Sequence, residues 1–153
     1  MTIASIASEY ENATNEFLKI VAGLQEGDLD KSDGEGWTPR QVVHHLADSE
    51  AQSYARLRRL VAEPGSVIQG YDEGAWAESA TLGYKELPIE ISLNVFRAVR
   101  AGSLMILRRL TQEQLQNFGE HTESGHFTIE KWVKGYTNHP VDHGQQILKA
   151  LGK

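Results

Sequence analysis

Apolar residues in this chain recur at alternating three- and four-residue steps, and they do so in separate stretches rather than as one run. Ile3, Ile6, Tyr10, Ala13, Phe17, Ile20 and Leu24 make the first such stripe. Only an α-helix with one buried face places residues so spaced side by side. A second stripe begins after Trp37-Thr38-Pro39. Thr38 suits the N-cap and Pro39 the first helical position, where a missing N–H is harmless. This pattern runs to about Ala62 and stops at Pro64-Gly65. A third follows Pro88, with Phe96, Val99, Ser103, Ile106 and Leu110. Gly102 inside it either permits a close helix contact or merely costs helix stability. The fourth starts near Thr128 and takes in Ile129, Trp132, Tyr136, His139, His143 and Gln146 or Ile147.

Nothing in the sequence alternates like a strand, and "GEHTESGHF" reads as a loop. Residues 63–87 form a long connection in which "YDEGAWAES" is compatible with a short helix. A link of that length carries local structure or function. It also reaches far enough for the second and third helices to run in the same direction. The expectation is an all-α four-helix bundle with a crossover between helices two and three. At 153 residues, this is a single domain over 1–153 with room for one sizeable core.

Composition narrows the chemistry. There is no cysteine, so disulfides, thiolate ligands and a cysteine nucleophile are excluded. A net charge of −6 argues against nucleic-acid binding. Arg56, Arg58 and Arg59 are the nearest thing to a basic cluster. They share a helix with Asp48 and Glu50 and read as a solvated face. No apolar run is long enough for a membrane span and the N-terminus has no signal-peptide pattern, so a cytoplasmic location is expected.

What remains unexplained is polar residues on apolar faces. His139 and His143 stand four apart on the inward stripe of the last helix, where an unpaired polar group is costly. Two imidazoles so spaced can reach one ion, and neutral histidine suits zinc, nickel, iron(II) or copper. A third ligand would come from "VVHHLADSE" on helix two. Helical-wheel arithmetic leaves His44 and His45 equivalent, flanking the apolar face on either side. Glu50 falls near the middle of that face, where a carboxylate must be paired or ligated. Pro140 sits between the two histidines, where it removes a backbone hydrogen bond and disfavours helix at His139. Either the helix breaks there or it kinks around a site. His121 and His126 fall in the loop and are expected to be exposed, and Asp142 to face solvent. Trp76 and Tyr71 are candidates for a site mouth or for core packing. Arg100 is a candidate for holding a substrate carboxylate, or for a surface salt bridge.

Taken together, "GWTPRQVVHHLADSEAQSYARLRRL", "GYDEGAWAES" and "EHTESGHFTIEKWVKGYTNHPVDHGQQI" resemble the DinB-like superfamily, in particular its YfiT-like branch. The likeness spans about Trp37 to Ile147. It implies a four-helix bundle with a crossover, often a homodimer, and a metal held by one histidine of helix two and two of the last helix. Here these are His45, His139 and His143, since the family's histidine directly precedes the apolar residue that is Leu46 in this chain. Pro140 departs from the family pattern. The resemblance also implies a metal-dependent small-molecule enzyme using zinc or nickel. Such an enzyme is either a thiol S-transferase, joining a low-molecular-weight thiol such as bacillithiol or glutathione to an electrophile, or a hydrolase. Glu50 is the candidate catalytic base or partner to a histidine N–H. The alternatives are a non-catalytic metal-binding stress-response or small-molecule-binding bundle, and a metal-free interaction protein whose histidines lie apart.

Overall fold

The computed structural model covers residues 1–153. Its four long helices are α1 (Ile3–Ala22), α2 (Pro39–Ala62), α4 (Glu90–Leu107) and α5 (Ile129–Ala150), and α3 (Glu73–Glu78) is a single short helix in the long connection. Local chemistry fixes their starts. Thr2 accepts from Ser5 N–H, Thr38 from Gln41 N–H and Thr128 from Lys131 N–H, so each satisfies an amide that the first turn leaves free. No helix is long and apolar enough to cross a membrane.

Side-chain pairings give the direction of each helix. His44 meets Ser92 and Tyr54 meets Gly102, so α2 and α4 are parallel. Tyr10 stacks on Trp132 and Ile20 packs on Gly144, so α1 and α5 are parallel. Trp132 Nε1 donates to the Ser53 carbonyl while His45 lies against His143, so α2 and α5 are antiparallel. Arg108 reaches Glu11 and Arg100 reaches Thr14, so α1 and α4 are antiparallel as well. The expected crossover is present, and residues 63–89 carry the chain back along the bundle so that α4 can run with α2.

Two small glycine contacts set the spacing of the helices. A Cβ on Gly102 would come 2.8 Å from the Tyr54 ring, and one on Gly144 would come 2.9 Å from Ile20 Cδ1. Gly102 is therefore a close helix contact, the first of its two sequence readings.

A small three-stranded sheet adds to the helices expected from the sequence. Residues read as loop form β2 (Phe118–His121) and β3 (Gly125–Thr128), an antiparallel hairpin, and β1 (Val67–Ile68) pairs parallel with β2. Four residues or fewer per strand are too short to show a period of two, and Gly119 interrupts β2. That glycine is required, because a Cβ there would lie 2.6 Å from the Ser66 carbonyl oxygen.

The core also differs from the single one expected. One apolar cluster surrounds Tyr10, Leu57, Leu107 and Trp132. A second surrounds Phe17, Leu46, Phe96 and Ile147. On every long helix the residues between the two clusters include polar ones: Thr14 on α1, Glu50 and Ser53 on α2, Arg100 and Ser103 on α4, His139 and His143 on α5. Glu50, Ser53, Arg100 and Ser103 are buried. The bundle is thus two apolar halves separated by a polar layer, and the candidate site belongs to that layer.

Candidate metal centre

His45, His139 and His143 come together, each offering one ring nitrogen, and these atoms all lie within 4.8 Å of one another. His45 Nε2 and His139 Nε2 are 3.3 Å apart. The far side of two of the rings is tied down. His139 Nδ1–H donates to Glu50 Oε1 at 3.1 Å, and His143 Nδ1–H donates to Gln146 Oε1 at 2.7 Å. Those bonds fix the tautomer, because a nitrogen that donates carries the proton. Nε2 of each ring is left as a lone pair directed into the cluster. No bond fixes the tautomer of His45, whose buried Nδ1 has no partner, and its Nε2 joins the two directed lone pairs at the same point, where a cation would be held by all three. Orienting a ligand histidine through its other nitrogen is the usual arrangement at a metal. The donor set therefore fits a divalent metal ion.

Electrostatics act in the same direction. Burial, then the neighbouring imidazoles of His143 and His139, push His45 down to about 3. Burial and His139 push His143 down to about 4, against the opposing pull of Gln146. Both rings are neutral, the form that ligates, throughout the physiological range.

The remaining sequence candidates are placed as follows. His44 faces away from the cluster. Ser92 Oγ–H donates to its Nδ1 (2.7 Å) and its Nε2–H donates to the Leu87 carbonyl (2.9 Å), so it pins the start of α4 to α2. Glu50 is wholly buried and meets the cluster only through the remote nitrogen of His139. Arg100 donates to its Oε1 (3.2 Å) and Ser53 Oγ to its Oε2 (3.0 Å). Burial opposes its charge, but Arg100, His139 and Ser53 together hold its pKa below the ordinary carboxylate value. Of the two roles open to Glu50, the geometry supports partner to a histidine N–H rather than base.

Both readings of Arg100 are corrected. It is buried in the polar layer, neither at a substrate nor at the surface, with its guanidinium 3.5 Å over the Tyr10 ring. Pro140 explains part of this. Helix α5 continues through it. Its missing N–H leaves the Tyr136 carbonyl without the usual partner four residues on, and Arg100 Nη1 donates to that oxygen at 2.7 Å. The departure from the family pattern is absorbed by a cation that also fixes Glu50.

Tyr71 lines a cavity beside the site, and Trp76 packs edge-on against the Tyr71 ring. His126 is exposed on β3, whereas His121 on β2 is partly buried and lines the same cavity. Asp142 is exposed as expected. Three residues near the cluster went unassigned in the sequence. Trp37 packs against both His45 and His143, with ring centroids 4.8 and 6.4 Å away. Gln146 stood on the inward stripe three residues after His143, which was its signal. Glu73, at the start of α3, brings a carboxylate oxygen 3.8 Å from His45 Nε2; no local pattern marks it.

A sequence profile of the DinB superfamily matches residues 9–147. The chain belongs to the DinB superfamily. It is 38% identical over 137 residues to an Oceanobacillus iheyensis protein named "Putative metal-dependent hydrolase", a match covering 89% of this chain and 78% of the relative. A Bacillus cereus protein of the same name is 32% identical over 140 residues, covering 91% of this chain and 79% of that one. Among solved structures, YfiT from Bacillus subtilis matches with a TM-score of 0.85 at 30% identity, over 97% of this chain and 85% of that one. It is described as a probable metal-dependent hydrolase with an unusual four-helix bundle topology. The parallel pairing of α2 with α4 and of α1 with α5 gives this DinB chain a topology that short up-down connections cannot produce.

Proposed function

We propose that this DinB chain is a divalent-metal-dependent enzyme acting on small molecules, with His45, His139 and His143 as the metal ligands through Nε2. The observation that carries this reading is the pair of outward bonds, His139 to Glu50 and His143 to Gln146, which direct two lone pairs to the place where His45 Nε2 also lies. A zinc or nickel ion held there supplies Lewis acidity, lowering the pKa of a thiol or water that it binds.

The chain's own residues do the rest. Glu50 and Gln146 hold two of the rings in orientation and tautomer. Trp37 covers the His45 and His143 rings and keeps bulk water from that side. Glu73 is the exposed carboxylate nearest the cluster, and it is the group placed to take a proton from a thiol or water arriving there. A cavity of about 680 Å³ has both Glu73 and His139 in its walls, so a small molecule can reach the cluster. That access favours an enzyme over a sealed metal-storage module.

Between the two nucleophiles we favour a low-molecular-weight thiol attacking an electrophile, with hydrolysis by water as the second reading. The relatives' printed names support the second. The absence of any cysteine in the chain is consistent with the first, since a thiol must then come from a cosubstrate.

The test is elemental analysis of untagged protein beside a variant with all three histidines replaced by Ala. Near-stoichiometric zinc or nickel in the parent and none in the folded variant is the expected result. Turnover of thiol–electrophile pairs against that of simple esters and amides by the loaded parent then separates the two nucleophiles. A parent that takes up no metal after loading sets the enzyme reading aside.

A further inference from the structure

The cavity beside the three histidines contains a cation with no ion-pair partner. Arg56, partly buried on α2, donates Nη1–H to the Tyr136 hydroxyl at 2.8 Å and Nη2–H to the Gln69 carbonyl at 2.6 Å. Both acceptors are neutral, and no carboxylate oxygen comes within 4.0 Å of the guanidinium. This is not the solvated helix face read from the sequence, which fits Arg59, paired with Glu63 at 3.7 Å. Lys131 repeats the pattern, since its Nζ donates to the His126 carbonyl at 2.7 Å while the side chain lines the same cavity. His121, also on the wall, is depressed first by burial and then by the charge of Arg56, against the opposing pull of Glu123, so the guanidinium is felt inside the cavity.

Two neutral anchors on a guanidinium hold it in place without neutralising it, which is how an anion site is prepared. Its position relative to the cluster is set by one side chain. The Tyr136 hydroxyl accepts from Arg56, and its ring lies edge-on to His139 with centroids 5.9 Å apart. A molecule lying along Tyr136 reaches the histidine cluster with one end and Arg56 with the other.

We propose that Arg56, seconded by Lys131, is the subsite for a single carboxylate on the substrate or cosubstrate, remote from the reacting atom. This rests on the preceding reading for the reacting end only. Asp72, Glu73 and Glu123 line the same cavity. Three carboxylates against two cations disfavour a multiply charged anion such as a phosphate ester and leave a monocarboxylate as the matching class.

The probes are 4-mercaptobutanoate and its neutral counterpart 4-mercaptobutan-1-ol, titrated calorimetrically and, on cobalt-loaded protein, through the thiolate-to-cobalt absorption. The acid binds the parent about tenfold more tightly than the alcohol, the scale of one charge-assisted hydrogen-bonded contact. In Arg56→Gln that preference falls below about twofold, and Arg56→Lys restores part of it, while cobalt content and the alcohol's affinity stay unchanged. No preference in the parent, or a preference that survives in Arg56→Gln, overturns the subsite. Butanoate, a monocarboxylate, titrated into chelator-treated protein separates this proposal from the metal reading. If the protein takes up no cobalt but butanoate binding is still lost in Arg56→Gln, the metal reading fails and the subsite stands. Equal butanoate binding by parent and variant, or tighter binding of inorganic phosphate than of butanoate, overturns the carboxylate assignment.

Discussion

Arg100, Pro140 and Glu50 form one unit, though the sequence separates them by 40 and 50 positions. Glu50 was legible as an anomaly, because a carboxylate at the centre of an apolar face must have a partner. The identity of the partner was not legible, since it depends on α4 running parallel beside α2. Pro140 was legible as a threat to the helix, and its remedy, a guanidinium from another helix on the freed Tyr136 carbonyl, was not. Two consequences are measurable. Arg100→Met strands the Glu50 charge in the polar layer and lowers stability by about 3–5 kcal/mol, as breaking one side of a buried ion pair does. Adding Glu50→Gln recovers part of that loss. Pro140→Ala returns an N–H to the Tyr136 carbonyl, so Arg100→Met costs less in a Pro140→Ala background than in the parent. Denaturant unfolding of the four members of that cycle checks the coupling, and additive effects would show that Arg100 does not serve the proline.

At the scale of elements, the long helices were readable because each buries one face, and burial on one face leaves a 3.6-residue period in the sequence. A threonine cap marks the start of α2 in the sequence, and the start read near Thr128 for α5 falls on the residue that caps it. The β1–β2–β3 sheet left no such trace. Its strands are two to four residues long, and its parallel β1–β2 pairing joins segments more than fifty residues apart. Gly119 is where that pairing is most exposed to test. A methyl group there meets the Ser66 carbonyl oxygen at 2.6 Å, which is backbone and cannot swing aside. Gly119→Ala therefore costs about 1–3 kcal/mol and loosens β1 from β2. Gly102→Ala meets the edge of the Tyr54 ring, which can rotate, and costs less. Hydrogen exchange at Glu120 and Thr122, whose amides donate to the Ser66 and Ile68 carbonyls, reads the first effect directly. Unchanged protection there in Gly119→Ala would show that the strand adapts.

Over the whole molecule, the three histidines join α2 to α5 across the middle of the bundle, between the two apolar clusters. The polar layer therefore carries a cost that depends on protonation. In the metal-free protein His45 and His143 stay neutral down to about 3 and about 4, whereas in the unfolded chain each takes a proton near 6.5. Between those values the unfolded state holds more protons than the folded one. Stability is then full above about 6.5 and falls as the pH drops towards 4, by up to about 1.4 kcal/mol per pH unit for each ring. Bound metal must be displaced before those rings can protonate, so the loaded protein keeps its thermal midpoint further into the acid range. Chelated parent and chelated His143→Asn, melted side by side from neutral to mildly acidic buffer, read the contribution of His143, which is its own ring together with its share in depressing His45. The variant's midpoint falls less steeply with acid, since only His45 remains to be charged. Parallel curves would mean that the polar layer opens to water before the bundle unfolds, so that His143 is hydrated in both states.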